Sequence, residues 1–199
     1  MQIVLATRNA GKIREFSALM TDMGVTVLGL DAFPEVDEVE ETGTTFEENA
    51  LLKARAVAAA TGLIAVADDS GISVDALGGA PGVYSARYAG GHGDAEANNA
   101  KMLQELQGVP DAKRTARFVC VVAASKPDGQ TITAHGQWEG RITHGYAGKS
   151  GFGYDPIFFD LEMNMTAAQM TPEQKNSRSH RGKALRELLT QWRGFAGNV

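Results

Sequence analysis

Apolar residues recur in two rhythms along the chain, and the rhythms alternate. Gln2-Ile3-Val4-Leu5-Ala6-Thr7 is a short apolar run of the kind that forms a buried strand. After the turn Arg8-Asn9-Ala10-Gly11, the spacing of Ile13, Phe16, Met20 and Met23 predicts a helix from Lys12 to Met23, stopped by Gly24. Thr26 to Leu28 is a second short strand, and Pro34 to Gly43 is an acidic loop. Thr45 and Glu48 stand in capping-box spacing before a helix whose stripe is Phe46, Ala50, Ala54, Val57 and Ala58 and whose stop is Gly62. A strand follows through Leu63-Ile64-Ala65-Val66, ending at Asp68-Asp69. Asp94 caps a helix reaching Leu106, and Arg114 to Ser125 is a strand. Pro127-Asp128-Gly129 signals a hairpin into Gln130–Trp138, where Ile132, Ala134, Gly136 and Trp138 share one face. Ile157 to Phe159 is another strand, Thr171-Pro172-Glu173-Gln174 opens a helical turn, and Ser179 caps a last helix with Leu185, Leu188, Leu189 and Trp192 on its face. This order predicts an α/β chain with a mixed sheet, with no repeat, low-complexity tract or linker.

Composition narrows the class. A chain of 199 residues with 43% hydrophobic and 22% charged residues is one globular domain, spanning residues 1–199, with room for two lobes. A net charge of -5 argues against nucleic acid as a partner. The one cysteine, Cys120, lies in an apolar stretch and suits a reducing cytoplasm. No basic leader with a long apolar core opens the chain, and no apolar run is long enough to span a bilayer, so no membrane role is expected.

The chemistry gathers at a few places. Ala67-Asp68-Asp69-Ser70-Gly71 puts two carboxylates side by side where a strand is expected to end. Such a pair repels unless a cation or proton sits between them, which fits a Mg2+ site; a solvated Asp-Ser-Gly turn is the alternative. Thr7, Arg8, Asn9, Ala10, Gly11 and Lys12 join a strand to a helix start, where free N–H groups favour an anion. Lys53 lies one turn after Asn49, on the same side of its helix, and could reach a phosphate. Phe152 could stack on a planar base beside Gly151, Gly153, Tyr154 and Asp155, with glycines allowing close approach. Lys175-Asn176-Ser177-Arg178-Ser179-His180-Arg181 is a cationic cluster at a helix start. His135, His92 and His144 read as structural or solvated, and no histidine pair has the spacing of a zinc site.

Taken in order, T-x-N-x-x-K (Thr7 to Lys12), E-E-T-G with F-x-E-N-A (Glu40 to Ala50), A-D-D-S-G, G-G-A-P-G-x-Y-S-A-R (Gly78 to Arg87), F-G-Y-D-P (Phe152 to Pro156) and K-N…S-H-R (Lys175 to Arg181) closely resemble the inosine triphosphatase-like pyrophosphatases of non-standard purine nucleoside triphosphates. The resemblance covers nearly the whole chain. It implies an elongated mixed central sheet flanked by helices, two lobes with a cleft between them, and a cytoplasmic homodimer. It also implies Mg2+-dependent hydrolysis of dITP, ITP and XTP to the monophosphate and pyrophosphate. On this chain, Thr7, Arg8, Asn9, Ala10, Gly11, Lys12 and Lys53 would hold the triphosphate, and Glu40 and Asp69 the metal. Asp69 would be the proton acceptor, with Asp68 open as an alternative base. Ser70, Phe152, Gly153, Tyr154, Asp155, Lys175, His180 and Arg181 would contact the nucleotide. The chain departs from the family's habit at Arg178, where an apolar residue is usual, at Gln169, where Glu is frequent, and in the loop Gly90-Gly91-His92-Gly93. Related Maf-like pyrophosphatases acting on pyrimidine nucleotides, and a non-catalytic nucleotide sensor, are the competing readings.

Overall fold

The computed structural model describes residues 1–20, 24–91 and 93–197. In chain order the elements are β1 (Gln2–Leu5), α1 (Ala10–Met20), β2 (Thr26–Gly29), α2 (Phe46–Thr61), β3 (Ile64–Val74), α3 (Ala95–Glu105), β4 (Thr115–Ser125), β5 (Thr131–Ile142), β6 (Phe158–Asp160), β7 (Met165–Thr166), α4 (Pro172–Arg178) and α5 (His180–Ala196). The strands form one seven-stranded sheet in the order β2-β1-β3-β4-β5-β6-β7. β1 runs parallel to both β2 and β3, while β6 is antiparallel to β5 and β7. The mixed α/β sheet follows from a chain that begins with strand–helix crossovers and ends in hairpins. Among the described residues no helix is long and apolar enough to cross a membrane.

The chain divides into two compact units. The first comprises Met1–Asp69, Cys120–Gly136 and Ala184–Val199; the second comprises Ser70–Val119 and Gln137–Lys183. The first unit's largest core packs Ile3, Leu5, Phe16 and Met20 with Val122, Leu185, Leu188 and Trp192. The second packs Ile72, Met102, Leu106 and Phe118 with Trp138, Tyr154, Ile157 and Phe158.

The local signals act as their chemistry requires. Thr45 accepts from Glu48 N, and Glu48 reaches back to Thr45 N, closing the capping box of α2; Gly62 ends that helix in the left-handed region. Thr171, Pro172 and Gln174 do the same for α4, Asp94 caps α3, and Ser179 Oγ accepts from Gly182 N at the start of α5. Even-numbered positions from Ala134 to Ile142 are buried along β5. Three expectations shift. Helix α1 starts at Ala10 rather than Lys12, because Asn9 caps it; Met23 lies outside the described residues, as does His92. Strand β3 does not end at the aspartates but runs on to Val74, placing Asp68 and Asp69 in mid-strand. The two-residue strand β7 carries no signal of its own in the sequence.

Candidate active site

The first unit builds a cluster around Asp68 and Asp69. β1 is flanked by β2 on one side and β3 on the other, all parallel, so the crossover from β1 leads to one side and the next, from β2, returns past β1 to the other. In open α/β sheets, ligands bind outside the carboxyl ends of strands at such a switch point. β1 pairs with β3 as far as Leu5↔Val66, and Ala6 N adds a bond to Val66 O. Beyond that register β3 continues without its β1 partner, and Asp68 and Asp69 occupy the vacated stretch.

Each carboxylate has its own partners. Lys12 Nζ donates to Asp68 Oδ1 at 2.8 Å. Asn49 Nδ2 donates to Asp69 Oδ2 at 3.0 Å, and Lys53 Nζ stands 3.8 Å from Asp69 Oδ1. Lys53 also donates to Glu41 Oε1 at 2.6 Å. Asn49 is fully buried and accepts from Gly43 N at 2.8 Å through its own Oδ1. Gly43 must be glycine here, since a Cβ would stand 2.6 Å from that oxygen. The E-E-T-G loop is thereby tied to the aspartate through one carboxamide. The sequence placed Asn49 and Lys53 on one side of α2; that Asn49 grips Asp69 is a long-range fact of the fold.

Burial pushes the Asp69 carboxyl up to about 6; Lys53 opposes the rise, Glu41 and Asp68 add to it, and the Asn49 bond opposes it. Burial lowers Lys53, but Asp69, Glu41 and Asp68 outweigh it and hold the ammonium above its ordinary value. In these ion pairs of the described residues, three carboxylates thus share two lysines. That imbalance, in a set of hard oxygen donors, fits one added Mg2+ ion. Among the described residues no three acidic, histidine or cysteine side chains converge on a metal position by themselves. Glu40 is exposed on the loop, one residue before the Glu41 that contacts Lys53.

The turn before α1 is pre-capped. Thr7 Oγ1 accepts from Asn9 N at 3.1 Å, and Asn9 Oδ1 accepts from Gly11 N at 2.9 Å and Lys12 N at 3.2 Å. The expectation of open N–H groups there is therefore corrected for Gly11 and Lys12, because the Asn9 carboxamide occupies both. Arg8 donates from Nη2 to Val36 O at 3.1 Å and faces Asp31. Ala10 begins α1.

The second unit carries the remaining residues, among them Phe152, which is 61% exposed. Lys175 Nζ lies 4.6 Å and Arg181 Cζ 5.6 Å from its centroid, so two cations meet one ring. Asp155 is buried, accepts from Phe152 N at 2.7 Å and pairs with Lys175 Nζ. Gly151 has φ +81°, and a Cβ there would run into the Asp155 carboxylate. Asn99 of α3, unmarked by any sequence signal, donates to Gly153 O at 2.9 Å. Tyr154 is buried with its hydroxyl on Ser85 O at 2.8 Å. The His180 ring stacks on Phe118 at 4.7 Å and 9°. Ser70 is half-buried in β3.

Comparison with known proteins now decides the family. The Ham1 family's sequence profile matches residues 3–191. The chain belongs to the Ham1 family. It is 60% identical to the "dITP/XTP pyrophosphatase" of Nitratidesulfovibrio vulgaris, covering 97% of this chain and 96% of that one. It is 56% identical to the protein of the same name from Thioalkalivibrio sulfidiphilus, covering 98% of this chain and all of that one. The solved structure of the Staphylococcus aureus Ham1 protein superposes with a TM-score of 0.89 at 44% identity, covering 98% of this chain and 100% of the other. This is the family that the ordered motifs resemble.

Two outcomes follow for this cluster. Between pH 3.8 and about 6 the folded chain keeps a proton on Asp69 that the unfolded chain has released, so stability falls as pH rises through that window. Above it, the ionised carboxylate costs roughly 3 kcal/mol. Asp69→Asn is therefore more stable than wild type at pH 8, with the gain vanishing near pH 4, measured by thermal unfolding at both values. A gain equal at both would contradict the burial argument. Asn49→Ala removes the donor to Asp69 and leaves Gly43 N without its partner, costing about 1–3 kcal/mol; an unchanged denaturant midpoint would contradict it.

Proposed function

We propose that this protein hydrolyses dITP, ITP and XTP to the nucleoside monophosphate and pyrophosphate, and so keeps these nucleotides from DNA and RNA. The observation that carries the reading is the buried Asp68–Asp69 pair with its two lysines at the sheet's switch point, in a chain of the Ham1 family whose near relatives are named dITP/XTP pyrophosphatases. The phosphate half of the substrate falls to Lys12 and Lys53, with Thr7, Arg8, Asn9, Ala10 and Gly11 shaping the turn beside them. Both lysines already sit on carboxylates before any substrate arrives. Asp69 and Glu40 would hold Mg2+, which would supply charge neutralisation for the polyphosphate.

Water attacks the α-phosphorus; its oxygen ends on the monophosphate and the bond to the bridging oxygen breaks, releasing pyrophosphate. Asp69 takes the water's proton. Burial holds its carboxyl near 6, above an ordinary aspartate, before a metal is bound. Asp68, tied at 2.8 Å to Lys12, is the poorer candidate. Asn49 orients Asp69 through one oxygen and leaves the other toward Lys53.

The base half falls to Phe152 as a stacking ring and to Ser70, Gly153, Tyr154, Asp155, Lys175, His180 and Arg181 around it. Donors from His180 and Arg181 suit the 6-carbonyl of hypoxanthine and xanthine and leave the 6-amino group of adenine facing a donor. Unpaired polar groups of this kind discriminate by factors of ~10^4. A homodimer working in the cytoplasm completes the proposal.

A panel of purine and pyrimidine triphosphates with pyrophosphate detection tests it. ITP, dITP and XTP should turn over with Mg2+, and stop with a chelator. Asp69→Asn should lower kcat by at least ~10^3 while still binding ITP. Preference for dTTP or UTP would favour a pyrimidine enzyme, and ITP binding without pyrophosphate release would leave only a sensor.

A further inference from the structure

The corner between α4 and α5 is one residue long. Arg178 ends α4, His180 begins α5, and Ser179 lies between them in an extended conformation, φ -63° and ψ 151°. Ser179 is bonded to both helices: its N–H donates to Lys175 O at 2.8 Å, while its carbonyl and hydroxyl accept from Lys183 N at 2.9 Å and Gly182 N at 3.1 Å. These bonds set the angle of the corner but do not attach it to the sheet.

Lys183 Nζ ties the start of α5 to Gln137 O of β5 at 2.8 Å, and two more side chains, one on each side of Ser179, attach the corner itself. Arg178 Nε donates to Asp160 Oδ2 at 2.5 Å, and its Nη1 donates to Glu162 Oε2 at 2.9 Å. The His180 ring stacks on Phe118. The two attachments join into a circuit. Trp138 Nε1 donates to the same Asp160 oxygen at 2.7 Å, and the Trp138 ring packs against Phe118 with centroids 6.1 Å apart. Phe158 meets both rings, at 4.5 Å from Phe118 and 5.0 Å from Trp138. Asp160 is fully buried, and its second oxygen accepts from Glu162 N and Met163 N at 2.8 Å each. Glu162 is largely exposed, so its pair with Arg178 contributes little. The buried, charge-assisted bond to Asp160 is the one that matters, since a buried carboxylate deprived of its cation is costly.

We infer that Arg178 is a positioning residue for purine recognition: anchored on Asp160, it fixes the corner that presents His180 and Arg181. An apolar side chain at this position could pack but could not complete the circuit. The inference rests on the base-contact roles proposed above for His180 and Arg181.

The experiment compares wild type with Arg178→Lys, the neutral pair Asp160→Asn/Arg178→Met, and His180→Ala. The neutral pair avoids a stranded buried charge, and Arg178→Lys keeps the charge but loses the planar fork. The neutral pair should raise KM for ITP about tenfold with kcat within about twofold, and Arg178→Lys should lie between it and wild type. Inhibition by inorganic triphosphate, which engages no base contact, should be unchanged in both, a split that a general loss of stability would not produce. A folded neutral pair with wild-type KM overturns the inference, as does an equal weakening of inorganic triphosphate. If His180→Ala raises KM and the neutral pair does not, the base contacts stand and Arg178 is excluded. If His180→Ala leaves KM unchanged, the base assignment itself fails, and the inference with it.

Discussion

Two aspartates adjacent in a buried strand cannot both be ionised at low cost, and the first unit is arranged around that constraint. Lys12 neutralises Asp68, while Asn49 and Lys53 share Asp69. Glu41 then draws on Lys53 from the other side, which leaves the carboxylates in excess. The result is a cluster that is tolerable in the folded chain yet short of positive charge.

The second unit handles buried acids differently. Asp160 is committed to a cation and N–H groups through both oxygens, and Asp155 takes Phe152 N and Lys175 through Oδ2. For Asp160 burial alone would raise the carboxyl, but the bonds from Met163, Arg178, Trp138 and Glu162 outweigh it and hold it below the ordinary value. These acids hold geometry. Asp155 fixes the backbone under Phe152 and the position of Lys175, and Asp160 fixes the corner after α4. Groups that recognise a base by hydrogen-bond direction need such fixed placement. Burial thus holds Asp69 up near 6, while its bonds hold Asp160 down.

Much of this was legible in the chain, and the exceptions share a cause. Capping boxes at Thr45 and Thr171, the Gly62 stop and the alternation along β5 are local, and each formed as its spacing required. The motif residues could be named, but their partners could not. That Asp68 and Asp69 lie in mid-strand depends on where β1 ends, which is a matter of pairing across the sheet. Asn9 occupying the helix amides was a choice between two acceptors, solvent anion or side chain, that spacing alone leaves open. Asn99, Asp160 and Phe118 act across many residues of sequence, and no periodicity marks them. The acidic loop offered Glu40 and Glu41 as neighbours; only the folded chain shows which of them meets Lys53.

The most direct measurement is the titration of the Asp69 side-chain carboxyl by carbon-13 NMR in the metal-free protein, assigned against Asp69→Asn. The account predicts an apparent pKa near 6, displaced downward when Mg2+ is added. A value close to the unperturbed 3.8, insensitive to Mg2+, would contradict the buried, cation-deficient carboxylate on which the whole reading depends.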